Sequence, residues 1–134
     1  MATVNVTQDS LEGVLEKGIV LLDWWAAWCG PCRAFAPIYE NASASHPDIV
    51  FGKIDTEAEP ELAGEFQIRS IPTLMIFRDN LFLFAQPGML PASALEELIR
   101  QVQGLDMDEV RRKIAERVAK AEAEAPAPAS AAHT

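Results

Sequence analysis

The chain has 134 residues, 49% of them hydrophobic, and a formal net charge of −9 at neutral pH. That length suits one domain with an appendage, and no stretch reaches the apolar length of a membrane span. The acidity argues against nucleic acid and anionic membrane as partners, and Met1-Ala2-Thr3-Val4-Asn5 lacks the basic start and apolar run of a signal peptide.

In chain order, Thr3 to Val6 reads as a short strand. Thr7 caps a helix through about Lys17, with Leu11, Val14 and Leu15 as its buried stripe, and Gly18 ends it. Ile19-Val20-Leu21-Leu22-Asp23-Trp24 is a near-continuous apolar run, the signature of a central parallel strand covered on both faces. A helix from Cys32 to about Ser45 follows, bent at Pro37 because proline lacks the amide and clashes with the preceding turn. Ile49 to Asp55 is a third strand, and Pro60 to Phe66 a short helix with an acidic start. Thr73 to Arg78 and Leu81 to Gln86 form a hairpin joined at Asp79-Asn80, where asparagine tolerates positive φ. Pro91 opens a helix at a first-turn position, and this helix runs to Gln103 and closes at Gly104. The order β-α-β-α-β-α-β-β-α implies an α/β fold, a mixed sheet with helices on both faces.

Past Gly104 the character changes. Asp106 with Glu109 resembles a capping box, and Met107, Val110, Ile114 and Val118 recur at helical spacing. Residues 1–104 are thus expected to form one domain, 105–121 an additional amphipathic helix, and 122–134 a disordered Ala- and Pro-rich tail. The stripe either docks on its own domain or serves as a partner-binding or self-associating face.

Cys29 and Cys32, in Trp28-Cys29-Gly30-Pro31-Cys32, are the only thiols. Closing so short a loop stabilises little, which weighs against a structural disulfide. A zinc site needs about four ligands, and the only histidines, His46 and His133, are distant in sequence. Two thiols across a Gly-Pro turn can instead alternate between dithiol and disulfide, so redox chemistry is the reading that remains. Sitting where a buried strand gives way to a helix, Cys29 lies near unsatisfied amides and the positive end of the dipole. It is expected to be the nucleophile, and Cys32, one turn further in and less exposed, the resolving thiol.

The segment from Asp23 to Cys32, Asp-Trp-Trp-Ala-Ala-Trp-Cys-Gly-Pro-Cys, resembles the active-site segment of the thioredoxins. Pro37 matches the proline that kinks the family's active-site helix. Lys53 and Asp55 resemble its third strand, Ile71-Pro72-Thr73 its cis-proline loop, and Gly88 a glycine lining the substrate groove. The resemblance covers about residues 3 to 104 and implies a thioredoxin-like fold carrying one extra C-terminal helix.

It also implies roles. Asp23 would be a buried carboxyl beneath Cys32, its pKa raised by burial, relaying a proton during exchange, with Lys53 as its nearby cation. Trp28 would shape the docking surface while Trp25 packs under the loop. Ile71 would present its backbone to an extended substrate, Pro72 would be cis and keep metals from bridging the thiols, and Gly88 would line the groove. Gly30 and Pro31 complete the substrate-facing set. Three positions depart from the family pattern: Trp24 where phenylalanine is usual, Asn80 in place of a turn glycine, and Pro87 in place of an aliphatic residue.

The implied activity is protein disulfide reduction by dithiol–disulfide exchange, with regeneration by an NADPH-dependent flavoprotein, thioredoxin reductase. The partners would then be protein disulfides and that reductase, the compartment the cytoplasm, and the chain itself would carry no cofactor and no metal. The alternatives are a disulfide oxidant or isomerase, or a scaffold or chaperone-like module acting through the C-terminal helix.

Overall fold

The structure, a computed structural model, describes residues 2–125 and divides into two units between Gln103 and Gly104. The first holds strands β1 (Thr3–Asn5), β2 (Ile19–Trp25), β3 (Val50–Asp55), β4 (Thr73–Arg78) and β5 (Leu81–Pro87). Its helices are α1 (Gln8–Leu15), α2 (Gly30–Ser45), α3 (Pro60–Glu65) and α4 (Ala92–Gln103). The five strands form one mixed sheet in the order β1-β3-β2-β4-β5. β2 is central, running parallel to β3 and antiparallel to β4.

The near-continuous apolar run of β2 follows from this position. Leu21 faces one side with Phe35, Tyr39 and Ala42 of α2 and Leu95, Ile99 and Val102 of α4. Val20, Leu22 and Trp24 face the other with Leu11 of α1 and Leu62 of α3. Alternate residues of one strand therefore feed two separate cores, as the period of two requires.

Local devices set the ends of these elements: Thr7 caps α1 and Asp79-Asn80 turn the hairpin as expected, whereas Pro91 sits differently. At the start of α1, Ser10 Oγ accepts the Thr7 N–H at 2.9 Å. Pro91 stands one residue outside α4, where its carbonyl accepts the Leu95 N–H at 3.1 Å. It serves the helix start through its oxygen rather than as a first-turn residue. Asp79 and Asn80 both adopt left-handed φ, 54° and 63°, as two-residue hairpin turns need. Asparagine meets that demand without glycine. Trp24 is fully buried and packs on Phe66 with ring centroids 5.3 Å apart. Pro87 ends the edge strand, where a missing amide is tolerated.

Gly52 on β3 is required by close packing. A Cβ there would meet Val6 Cγ2 at 2.8 Å and Leu22 Cδ2 at 3.0 Å. Its carbonyl accepts the Tyr39 hydroxyl at 2.8 Å, which pins α2 to the sheet.

The second unit contains α5, Met107–Glu124. It starts two residues later and ends three later than the 105–121 span read from the sequence. Asp106 sets the start, its Oδ1 accepting the Asp108 and Glu109 N–H groups at 3.1 and 3.2 Å. The end extends because alanine and glutamate are strong helix formers. Glu122, Ala123 and Glu124 are all exposed and continue the helix on propensity rather than packing. The expected tail thus begins too early at 122, and residues 126–134 lie outside those described. Among the described residues no helix is long and apolar enough to cross a membrane.

Candidate active site

β2 ends at Trp25, and the chain turns through residues 26–29 into α2. The helix begins at Gly30, two residues before the expected start. Proline's fixed φ suits the first turn, so Gly30-Pro31 enters the helix and Cys29 becomes its N-cap. In that position the Cys29 carbonyl accepts the Arg33 N–H at 3.1 Å, and Cys29 Sγ accepts the Cys32 N–H at 3.2 Å. The sulfur thus takes the place of a capping oxygen. The two cysteines are disulfide-bonded, with Cα atoms 5.2 Å apart.

Exposure does not separate them as the sequence suggested. Cys29 is 4% and Cys32 3% accessible, because Trp25, Ala26 and Ile71 pack around both. The asymmetry is electrostatic instead. Among the described residues Cys29 Sγ, and not Cys32 Sγ, receives a backbone N–H at the positive end of the helix, an arrangement that favours a thiolate.

Opposite the cysteines, the Ile71–Pro72 peptide is cis. Cys29 Sγ lies 3.7 Å from the Ile71 carbonyl oxygen. The Pro72 carbonyl accepts the Gly88 N–H at 2.8 Å, and Gly88 holds φ +87°, a conformation that favours glycine. The 71–72 turn, far from Cys29 in sequence, therefore lies beside its sulfur and is tied in turn to Gly88. Trp28, 66% exposed, flanks them and lines a shallow groove of about 190 Å³ with Thr56, Ile68, Arg69 and Ile71.

Asp23 is fully buried on β2, and among the described residues neither of its carboxyl oxygens has a hydrogen-bond partner. Burial raises its pKa from 3.8 to about 7, against the opposing pull of Lys53. Lys53 stands across from it in the β2–β3 register, with Nζ 5.0 Å from the centroid of the Trp25 ring. The Tyr39 phenol is pushed well above its usual pKa, by burial first and by the Asp23 charge second. A carboxyl poised near neutrality can hold or release a proton at physiological pH, which few buried groups can do.

Two contributors escaped the sequence reading. Thr56 anchors the loop by donating its N–H and Oγ1 to the Trp25 carbonyl, at 2.9 and 3.1 Å. Gly52 could have been suspected, since a glycine inside a strand marks a close approach. His46 caps the far end of α2 and pairs with Glu96 at 2.7 Å. His133 lies outside the described residues, and among those described no group of three or more His, Cys, Asp or Glu side chains could hold a metal.

Comparison with known proteins covers most of the chain. The family model described as Thioredoxin matches residues 2–101. A Streptomyces coelicolor protein named "Putative thioredoxin 2" is 54% identical over 121 residues, spanning 90% of each chain. Thioredoxin of Bacillus subtilis is 37% identical over 75% of this chain and 98% of its own. Among solved structures, thioredoxin f of spinach chloroplast superposes with a TM-score of 0.70 at 31% identity, over 77% of this chain and 96% of that one.

Proposed function

The chain belongs to the thioredoxin family and is a dithiol–disulfide reductase acting through its Cys29–Cys32 pair, and we propose how its residues divide that work. Cys29 thiolate attacks one sulfur of a substrate disulfide and forms a mixed disulfide, and the other substrate sulfur leaves as a thiolate that takes up a proton. Cys32 then attacks Cys29 Sγ. The second substrate sulfur leaves reduced, and the enzyme is left as the Cys29–Cys32 disulfide. Two electrons pass from the enzyme dithiol to the substrate.

The observation that carries this assignment is the Cys32 N–H donated to Cys29 Sγ at a helix start. It stabilises negative charge on Cys29, the thiol that must attack first. Asp23 would accept the Cys32 proton in the second step, its pKa near 7 allowing it to take up and give back that proton, with Lys53 limiting how far burial raises it. Trp28, Gly30, Pro31, Ile71, Pro72 and Gly88 would form the surface on which an extended substrate segment lies. The Ile71 carbonyl next to Cys29 supports this placement.

The further proposals concern partners and organisation. The substrates would be protein disulfides, and the electrons would return through an NADPH-dependent flavoprotein, thioredoxin reductase. The chain itself would need no cofactor, and the cytoplasm is the compartment where such a reductase works. Residues 1–104 would hold the whole catalytic apparatus, with α5 accessory to it.

Dithiothreitol-driven reduction of insulin tests the assignment directly. Cys29→Ser should abolish it, and Cys32→Ser should trap mixed disulfides. Equilibration with glutathione tests direction: a reductase couple lies below the glutathione couple, whereas an oxidant lies above it.

A further inference from the structure

The cations around the cysteine pair are not equivalent. Arg33 Nη1 donates to the Ala27 carbonyl at 2.8 Å, and Lys53 lies over the Trp25 ring. Arg69 is exposed, lines the groove beside Trp28 and Ile71, and among the described residues has no hydrogen-bond or ion-pair partner. The chain carries 20 acidic side chains, so its long-range field repels acidic substrates. An unpaired guanidinium in the groove reverses that preference locally.

Distance along the chain says where it would act. Arg69 precedes Ile71 by two residues, and the Ile71 carbonyl lies 3.7 Å from Cys29 Sγ. Two residues of chain span at most about 7 Å, the reach of two residues in an extended substrate. The rest of the groove is apolar or neutral, contributed by Trp28, Thr56, Ala63, Ile68, Ser70 and Ile71. No acidic side chain lines it to compete for the guanidinium.

We propose that Arg69 is a specificity-determining residue of the reductase. It pairs with an Asp or Glu carboxylate about two residues from the attacked cysteine while the substrate lies in the Trp28 groove. The inference rests on the reading that Trp28 and Ile71 face the substrate. Guanidinium suits this task because its planar fork can meet both oxygens of one carboxylate.

The test uses the full chain and disulfide-bonded peptides identical except for Glu or Lys two residues from the cysteine, on either side. Wild type should reduce the Glu peptide with a kcat/KM about 2- to 5-fold above that of the Lys peptide, as an exposed ion pair allows. The ratio should shrink towards one at 0.5 M salt, where the screening length falls to about 4 Å. Arg69→Gln should remove the preference and Arg69→Glu should invert it. A wild-type ratio of one, or a preference that persists in both variants, would overturn the proposal while leaving the reductase intact. If wild type reduces neither peptide and fails on insulin too, the reductase assignment fails, and this proposal with it.

Discussion

Asp23 and Lys53 face each other in register across the parallel pairing of β2 and β3, thirty positions apart in sequence. Burial of the carboxyl outweighs the attraction of the ammonium, so Asp23 titrates near 7 rather than near 3.8. The pair sets a carboxyl where it can exchange a proton at neutral pH, and that carries a cost in stability with a defined pH profile.

Between about pH 4 and pH 7 folded Asp23 keeps a proton that the unfolded chain has lost. Stability from this group therefore falls as pH rises through that window and is level above it. Asp23→Asn removes the cost. It should raise unfolding free energy by up to ~4 kcal/mol at pH 8 and by only ~1 kcal/mol at pH 4.5, read by urea unfolding. Resolution of the mixed disulfide should slow in the same variant. Equal stabilisation at both pH values would mean that Asp23 is not the titrating group.

Lys53 holds the Asp23 pKa down, so Lys53→Gln should move the pH midpoint of mixed-disulfide resolution upward by ~0.5–1 unit. Stopped-flow measurement between pH 5.5 and 9 reads this shift. An unchanged midpoint would separate Lys53 from the proton step and leave it only its contact with Trp25.

Because the two cysteines are equally buried, any difference in thiol reactivity must come from charge stabilisation. In the reduced protein Cys29 should be alkylated by iodoacetamide at least ~10-fold faster than Cys32 below pH 8. Mass spectrometry of partly labelled protein distinguishes the sites. Equal rates would remove the electrostatic basis for naming Cys29 the nucleophile.

Gly52→Ala places a methyl against Val6 Cγ2 and Leu22 Cδ2, both on side chains buried in the core. Overpacking of this kind should cost about 1–3 kcal/mol. The thermal midpoint should fall while the rate of insulin reduction at 25 °C stays within about twofold. A variant as stable as wild type would show that the Val6 and Leu22 side chains can shift aside without penalty.

Deleting residues 105–134 should leave insulin reduction within a few-fold of the full chain, since every proposed catalytic residue precedes Gly104. The stripe of Met107, Val110, Ile114 and Val118 then decides the remainder. A lowered melting temperature points to docking on the domain, whereas unchanged melting with loss of a dimer or partner points to an interaction face. Loss of catalysis with an intact circular dichroism spectrum would place part of the machinery in the extension.

What the sequence determined by itself was whatever depends on neighbours in the chain. The alternating elements were legible because periodicity and turn residues act over a few positions, as Asp79-Asn80 did for the hairpin. The cysteine pair was legible for the same reason: three residues across a helix start bring the Cys32 amide to Cys29 Sγ. The placement of Lys53, Ile71, Pro72 and Gly88 near the site came from resemblance, because nothing local in those segments says what lies beside them.

Tertiary structure decided the rest. Strand register puts Lys53 opposite Asp23, and packing of the 71–72 turn over Cys29 closes the exposure gap expected between the two thiols. Tyr39 reaches the Gly52 carbonyl, and Thr56 ties down Trp25, only after helix and sheet have come together. Arg69 has no local signal at all: an arginine in a loop reads as a solvated charge until the fold sets it in a groove without a carboxylate. The physical reason is common to all of these. Register, burial and electrostatic environment are properties of surfaces that meet, and a single segment does not encode which surface it will meet.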